Sequence, residues 1–137
     1  MIQWNKLSID RKEYVLGVIT ANATPTVLTS DQSPANGAAN QIAVPAASGM
    51  AFTAEIIGLS GATVFRQLIR GTIKTTGGTT ALVGSNVTSD KWADAGASTW
   101  AATATADNTN KCLAITVTGQ AATSINWFAI ITTLEVS

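Results

Sequence analysis

The closing stretch, residues 112–137 (CLAITVTGQAATSINWFAIITTLEVS), constrains the fold most, because it combines a strand pattern with a surplus of apolar side chains. Its first half alternates, with Ile115 and Val117 on one face and smaller or polar residues on the other, as in a half-buried β-strand. A turn at 119–124 separates this strand from residues 125–136, which carry large apolar side chains on both faces. A strand that is apolar on both faces needs cover on both. We therefore expect one face in the core and the other against the lead-in segment or a neighbouring subunit.

The same alternation recurs along the chain, interrupted by turn signals about every 8–12 residues, and no helical stripe interrupts it. Ala, Thr, Gly, Ser, Val and Ile dominate, while the strong helix formers are scarce. This pattern predicts an all-β chain, an antiparallel β-sandwich of jelly-roll-like form with eight or nine strands. The predicted strands before the closing hairpin are residues 14–21, 26–29, 41–45, 50–59, 63–74, 80–88 and 99–106. The predicted core includes Phe52, Ile115, Val117 and Trp127.

Residues 89–98 are predicted to form a loop that holds Lys91 and Trp92. Trp127 lies in an apolar strand and is assigned to the core, whereas Trp92 lies among polar residues. An exposed tryptophan can form a stacking platform for a ligand. Lys91 and Trp92 are therefore the candidates for a ligand-facing loop.

The chain has 137 residues, the size of one domain, and we divide it into an N-terminal arm at 1–13 and a β-sandwich domain at 14–137. The arm contains four large apolar residues that would be costly to leave in water: Ile2, Trp4, Leu7 and Ile9. We expect these side chains to dock on a partner. The alternative is that the arm covers the edge of its own sandwich.

Charge and composition argue against several classes of function. Eight basic and eight acidic residues cancel and only 12% of residues are charged, without a basic run, so no nucleic-acid partner is expected. No apolar run approaches the ~18 residues of a membrane span. The chain has no histidine, which removes the commonest general base and metal ligand. Cys112, the one cysteine, is interpreted as a buried hydrophobe, and the acidic residues of 90–94 and 107–110 as parts of solvated turns. We expect no enzymatic activity, no cofactor and no metal.

The C-terminal third resembles a module of tailed-bacteriophage virion proteins. The motifs that carry this resemblance are Trp92, residues 100–106 (WAATATA), 107–109 (DNT), 113–119 (LAITVTG), 125–127 (INW) and 135–136 (EV). Upstream motifs extend it to about residue 17: residues 22–28 (NATPTVL), 42–45 (IAVP), Phe52, 71–73 (GTI) and 80–84 (TALVG).

The resemblance implies a non-enzymatic β-sandwich on the virion surface, often trimeric, assembled in the cytoplasm of a bacterial host. Because only the short arm precedes the module, we expect a capsid decoration (cement) protein that bridges capsid subunits. Its partners would be other copies of itself, as a homotrimer, and the major capsid protein or another virion protein. The alternative is a tail-fibre or tail-tip module that binds a receptor or carbohydrate through the segment around Trp92.

Overall fold

The computed structural model describes residues 9–137, which form two antiparallel β-sheets with 62% strand and 5% helix. The strands are β1 (Ile9–Thr20), β2 (Thr26–Val27), β3 (Ile42–Ala43), β4 (Ser48–Ser60), β5 (Thr63–Thr76), β6 (Thr79–Leu82), β7 (Val87–Ala93), β8 (Ala101–Asp107), β9 (Cys112–Thr118) and β10 (Ile125–Val136). Two short 3-10 helices, Gly37–Ala39 and Ala95–Ala97, lie in the connections. The prediction of an antiparallel all-β sandwich is confirmed, while its jelly-roll-like form stays a prediction.

The described residues form ten strands rather than eight or nine, and two segments differ from the prediction. The single strand expected at 80–88 is divided between β6 and β7, because the chain turns between them at Gly84, whose φ is 70°. The first half of the loop expected at 89–98 belongs to β7, and the second half contains the 3-10 helix Ala95–Ala97. In addition, β1 begins at Ile9, so the last five residues assigned to the arm belong to a strand of the domain.

The larger sheet has the order β1-β10-β4-β5, and both β6 and β7 pair with β5. The closing strand β10 is therefore an interior strand, hydrogen-bonded to β1 on one side and to β4 on the other. In the smaller sheet, β9 pairs with β8 along one edge and with the short strands β2 and β3 along the other. The N-terminal and C-terminal strands of the described chain thus lie side by side.

The core lies between the two sheets, where the inward-facing side chains of each meet. Phe52, Ile115, Val117 and Trp127 are all buried, with at most 3% of their surface exposed. Three of the aromatic rings form a cluster at the centre: the Phe65 centroid lies 5.5 Å from that of Trp127 and 6.5 Å from that of Trp100. These ring separations and tilts are in the favourable range for aromatic pairs.

Buried polar groups form hydrogen bonds both within the larger sheet and between the two sheets. Within the larger sheet, the Trp127 Nε1–H of β10 donates to Thr20 Oγ1 of β1 at 2.9 Å. Gln67 of β5 donates from Nε2 to the carbonyl oxygen of Ala102 on β8 at 3.0 Å, and its Oε1 accepts from the Ala102 amide at 3.3 Å. Because these groups are buried, each bond removes the cost of an unpaired donor or acceptor. The two Gln67 bonds also fix how the two sheets sit against one another.

Candidate docking face

The second apolar face of β10 is exposed in the described chain. Phe128, Ile130, Leu134 and Val136 point away from the core, and between 44% and 49% of their surface is exposed. No described residue therefore covers the second apolar side of this strand. The expected cover by a neighbouring subunit or by the lead-in segment stays a prediction.

The neighbouring strands extend this apolar surface, because the register places their outward side chains in common rows. One row contains Ile19, Leu59 and Val64, the next contains Phe128, Ile57 and Trp92, and the third contains Val15 and Ile130. Each of these eight side chains is between 38% and 59% exposed. We call these eight residues the apolar outer face: Val15, Ile19, Ile57, Leu59, Val64, Trp92, Phe128 and Ile130.

Within residues 9–137, the outer side of the smaller sheet does not present large apolar side chains as the larger sheet does. Its two longest strands, β8 and β9, present Thr103 and Thr105 outward, both exposed, with the partly exposed Thr116 beside them. Threonine suits a strand that faces water. Large exposed apolar side chains are concentrated on the other sheet.

A glycine on the edge strand allows the centre of the apolar outer face to lie flat. Gly17 of β1 is the partner of Phe128, and a Cβ atom at this position would lie 3.0 Å from Phe128 Cδ1. The phenyl ring therefore lies across the glycine instead of standing away from the sheet. Beside it runs a shallow groove of about 290 Å³, lined in part by Val15, Ile57 and Ile130.

The charged groups next to the apolar outer face neutralise each other. Arg66 of β5 forms an ion pair with Glu55 of β4, and its Nε donates to Glu55 Oε2 at 2.9 Å. The Arg66 guanidinium carbon lies 4.5 Å from the centroid of the Trp92 ring, a cation–π contact. These contacts hold Arg66 between a carboxylate and an aromatic ring and leave no net charge in the three apolar rows.

Lys91 and Trp92 do not form the ligand-facing loop that the sequence predicts, since both lie on β7. Neighbouring residues of a strand point to opposite faces. Trp92 faces outward opposite Arg66, while the Lys91 Nζ lies 3.2 Å from the carbonyl oxygen of Trp100 and 5.4 Å from the centroid of the Phe65 ring. The two side chains do line one open groove of about 530 Å³, together with Arg66 and residues of 64 and 93–94.

Of the four predicted docking residues, Ile2, Trp4 and Leu7 lie outside the described residues. Ile9 is the first residue of β1, where its backbone is the partner of Val136. Its side chain is not among those described. The docking role assigned to these four residues stays a prediction.

In the oxygen-rich turn at 107–110, both carboxylate oxygens of Asp107 accept hydrogen bonds from within the turn. Asp107 Oδ1 accepts from the amides of Thr109 and Asn110, and Oδ2 accepts from Asn110 Nδ2 at 2.8 Å. The hydrogen bonds that Asn110 donates are the main reason that the pKa of the Asp107 carboxyl lies below its usual range. Asn108 Oδ1 in turn accepts from the Thr80 amide at 2.8 Å, which attaches this turn to the start of β6.

Asp31 lies in a similar arrangement in the long loop before β3. Its Oδ1 accepts from Asn40 Nδ2 and from the Ser33 amide, both at 3.0 Å, and these bonds lower the pKa of the Asp31 carboxyl. Both aspartates therefore organise turns, as Asx side chains commonly do.

Other candidate chemistry is sparse in the described part of the chain. Burial raises the pKa of the Cys112 thiol, which contacts the carbonyl oxygen of Asn110 at 3.3 Å. Residues 9–137 contain no group of three or more Cys, Asp or Glu side chains placed to hold a metal ion. No helix in this range has the length and apolar character needed to cross a membrane.

Comparison with models of known protein families gives no match, and comparison with curated proteins gives none either.

Proposed function

We propose that this chain is a non-enzymatic structural protein of a tailed-phage virion, a head decoration protein that stabilises the capsid by bridging its subunits. The observation that carries the proposal is the apolar outer face. Eight large apolar side chains are exposed together on one sheet, and contiguous exposed apolar surface of this size is typical of interaction sites. The resemblance of the strand and turn motifs to virion modules supports the same function.

A decoration protein stabilises a capsid by burying surface at protein–protein interfaces. Each contact with the capsid would bury about 1,000–2,000 Å² of surface, the range of stable protein interfaces. A chain with eight basic and eight acidic residues meets little long-range repulsion from a capsid lattice or from its own copies. The proposed assembly is a homotrimer that docks on the major capsid protein, with Ile2, Trp4, Leu7 and Ile9 as the attaching residues.

An add-back experiment tests this function. Phage particles made without the chain are mixed with the purified protein, and bound protein is measured by co-sedimentation. We expect saturable binding with a fixed number of copies per particle and a higher temperature for DNA release. Particles that take up no protein, at any concentration up to about a hundred micromolar, would contradict the proposal.

A tail-located receptor or carbohydrate-binding module is the second candidate, and Trp92 favours it. This side chain is 50% exposed and borders the groove of about 530 Å³. Against it, the guanidinium of Arg66 already lies over the ring that would stack on a sugar. Loss of cell or glycan binding in Trp92→Ala, with binding to tails but not heads, would favour this second function.

A further inference from the structure

The apolar outer face needs an occupant, and we propose that this occupant is a second copy of the same chain. This inference adds a specific contact between copies to the proposed function. It rests on that function only for the place where the copies meet, the surface of a virion. The contact itself follows from the shape, area and charge of the face.

The shape of the face suits another sheet. Its side chains project from five adjacent strands in three parallel rows, with Phe128 lying flat across Gly17. Sheet faces pack on other sheet faces, about 10 Å apart and with their strands within about 30° of one another. The same face on another copy of the chain has a matching shape and a matching apolar character.

The area of the face is sufficient for a specific contact between copies. Five strands about 4.8 Å apart and three rows of alternate residues at about 3.4 Å per residue cover on the order of 500 Å². Two copies then bury on the order of 1,000 Å² together, which is the lower limit for a specific interface. We therefore expect association in the micromolar range.

The charges also permit a copy to dock on itself. Glu55 and Arg66 already neutralise each other, so covering the three rows leaves neither of these charges without a partner. The charged residues Glu13 and Arg70 lie in the next row, outside the apolar outer face. They form one side of a polar rim, as at ordinary interfaces.

The test measures the mass of the full chain in solution by sedimentation velocity, from about 1 to about 100 µM. The disrupting variant is Val15→Lys combined with Ile130→Lys, which places two cations in the third row next to Glu55. The matched control is Thr103→Lys combined with Thr105→Lys, which adds the same charges to exposed strand positions of the smaller sheet. Far-UV circular dichroism checks that each variant folds.

Because the face packs on the same face of another copy, each contact joins two partners, either single chains of 14.1 kDa or the proposed homotrimers. We expect the natural chain and the control to reach twice the mass of the disrupting variant. A milder variant, Ile57→Thr with Leu59→Thr, keeps strand propensity and should weaken association at least about tenfold. If the lysine variant does not fold, this threonine variant tests whether the face forms the contact between copies. A natural chain that is monomeric up to about 100 µM overturns the inference, and the face then belongs to residues 1–8 or to a virion partner. Association unchanged in a folded variant, lysine or threonine, overturns it as well.

Particle binding is measured separately on the same samples. Self-association without particle binding would refute the proposed function and leave this contact intact. Particle binding by a strictly monomeric chain would refute the contact and the proposed homotrimer, and would leave the decoration function intact.

Discussion

Replacing Gly58 by alanine should destabilise the domain, because the side chain of Trp127 occupies the space that a Cβ atom would need. A Cβ built at Gly58 lies 2.8 Å from both Cε3 and Cζ3 of Trp127, against the 3.4–4 Å of ordinary contact. The ring has little room to move, since it is fully buried between Phe65 and Trp100. Overpacking of this kind costs about 1–3 kcal/mol.

Gly49→Ala is the matched control, because Gly49 lies on the same strand β4 and a Cβ there meets no atom within 4 Å. Alanine in a strand interior is favoured over glycine by roughly 0.5–1 kcal/mol. For Gly58→Ala this gain offsets part of the clash, which leaves a net loss of about 1–2 kcal/mol. The two substitutions should therefore change stability in opposite directions.

Thermal unfolding followed by circular dichroism measures both variants against the natural chain. For a domain of this size we expect a fall of roughly 3–8 °C for Gly58→Ala and a small rise for Gly49→Ala. Equal melting temperatures for the two alanine variants would refute the packing described around Trp127.

Three further predictions concern the core and the turns. Trp127→Ala should lower the free energy of unfolding by about 3–5 kcal/mol in urea titration, and an unchanged midpoint would show that the ring is not buried as described. Gln67→Leu leaves the amide and carbonyl of Ala102 unpaired, so it should cost about 1–3 kcal/mol per group, whereas a stability equal to the natural chain would refute the bridge between sheets. Asp107 has a pKa below its ordinary value of 3.8 when folded, so the unfolded chain binds more protons and the contribution of this carboxyl is lost as the pH falls below about 4. Melting curves from about pH 6 to about pH 2 should show a shallower acid loss in Asp107→Asn, and an identical pH dependence would argue against that role.

The alternation of side chains predicts most of the larger sheet correctly. In β4, β5 and β10 the residues that share a face in the sequence share one in the structure, and the face carrying Trp127 is the buried one. Those strands are long and strongly patterned, so their local sequence and their burial agree.

The pattern predicts a loop over residues 89–93, which form most of β7, because this part of the sequence has the polarity of a loop. Its register against β5 shifts between Gln67 and Leu68, where Asp90 is left without a partner and adopts a φ of 47°. Aspartate tolerates this left-handed conformation better than most residues. A bulge of this kind interrupts the alternation on which sequence-based prediction depends.

The apolar outer face could be predicted only in part. The sequence indicates that β10 is apolar on both sides, yet alternation does not say which strands flank it. Pairing across distant parts of the chain brings Val15 and Ile57 beside Ile130 and Phe128. This juxtaposition depends on sheet order, which short-range patterns do not specify.

The central claim is the proposed head decoration function, and immunogold labelling of intact virions tests this proposal most directly, on a phage whose genome encodes the chain. An antibody raised against the purified protein is applied to whole virions, and the gold particles are located by electron microscopy. A decoration protein predicts label distributed over the head and none along the tail. Label confined to the tail tip or fibres, or virions that carry no label at all, would contradict the account.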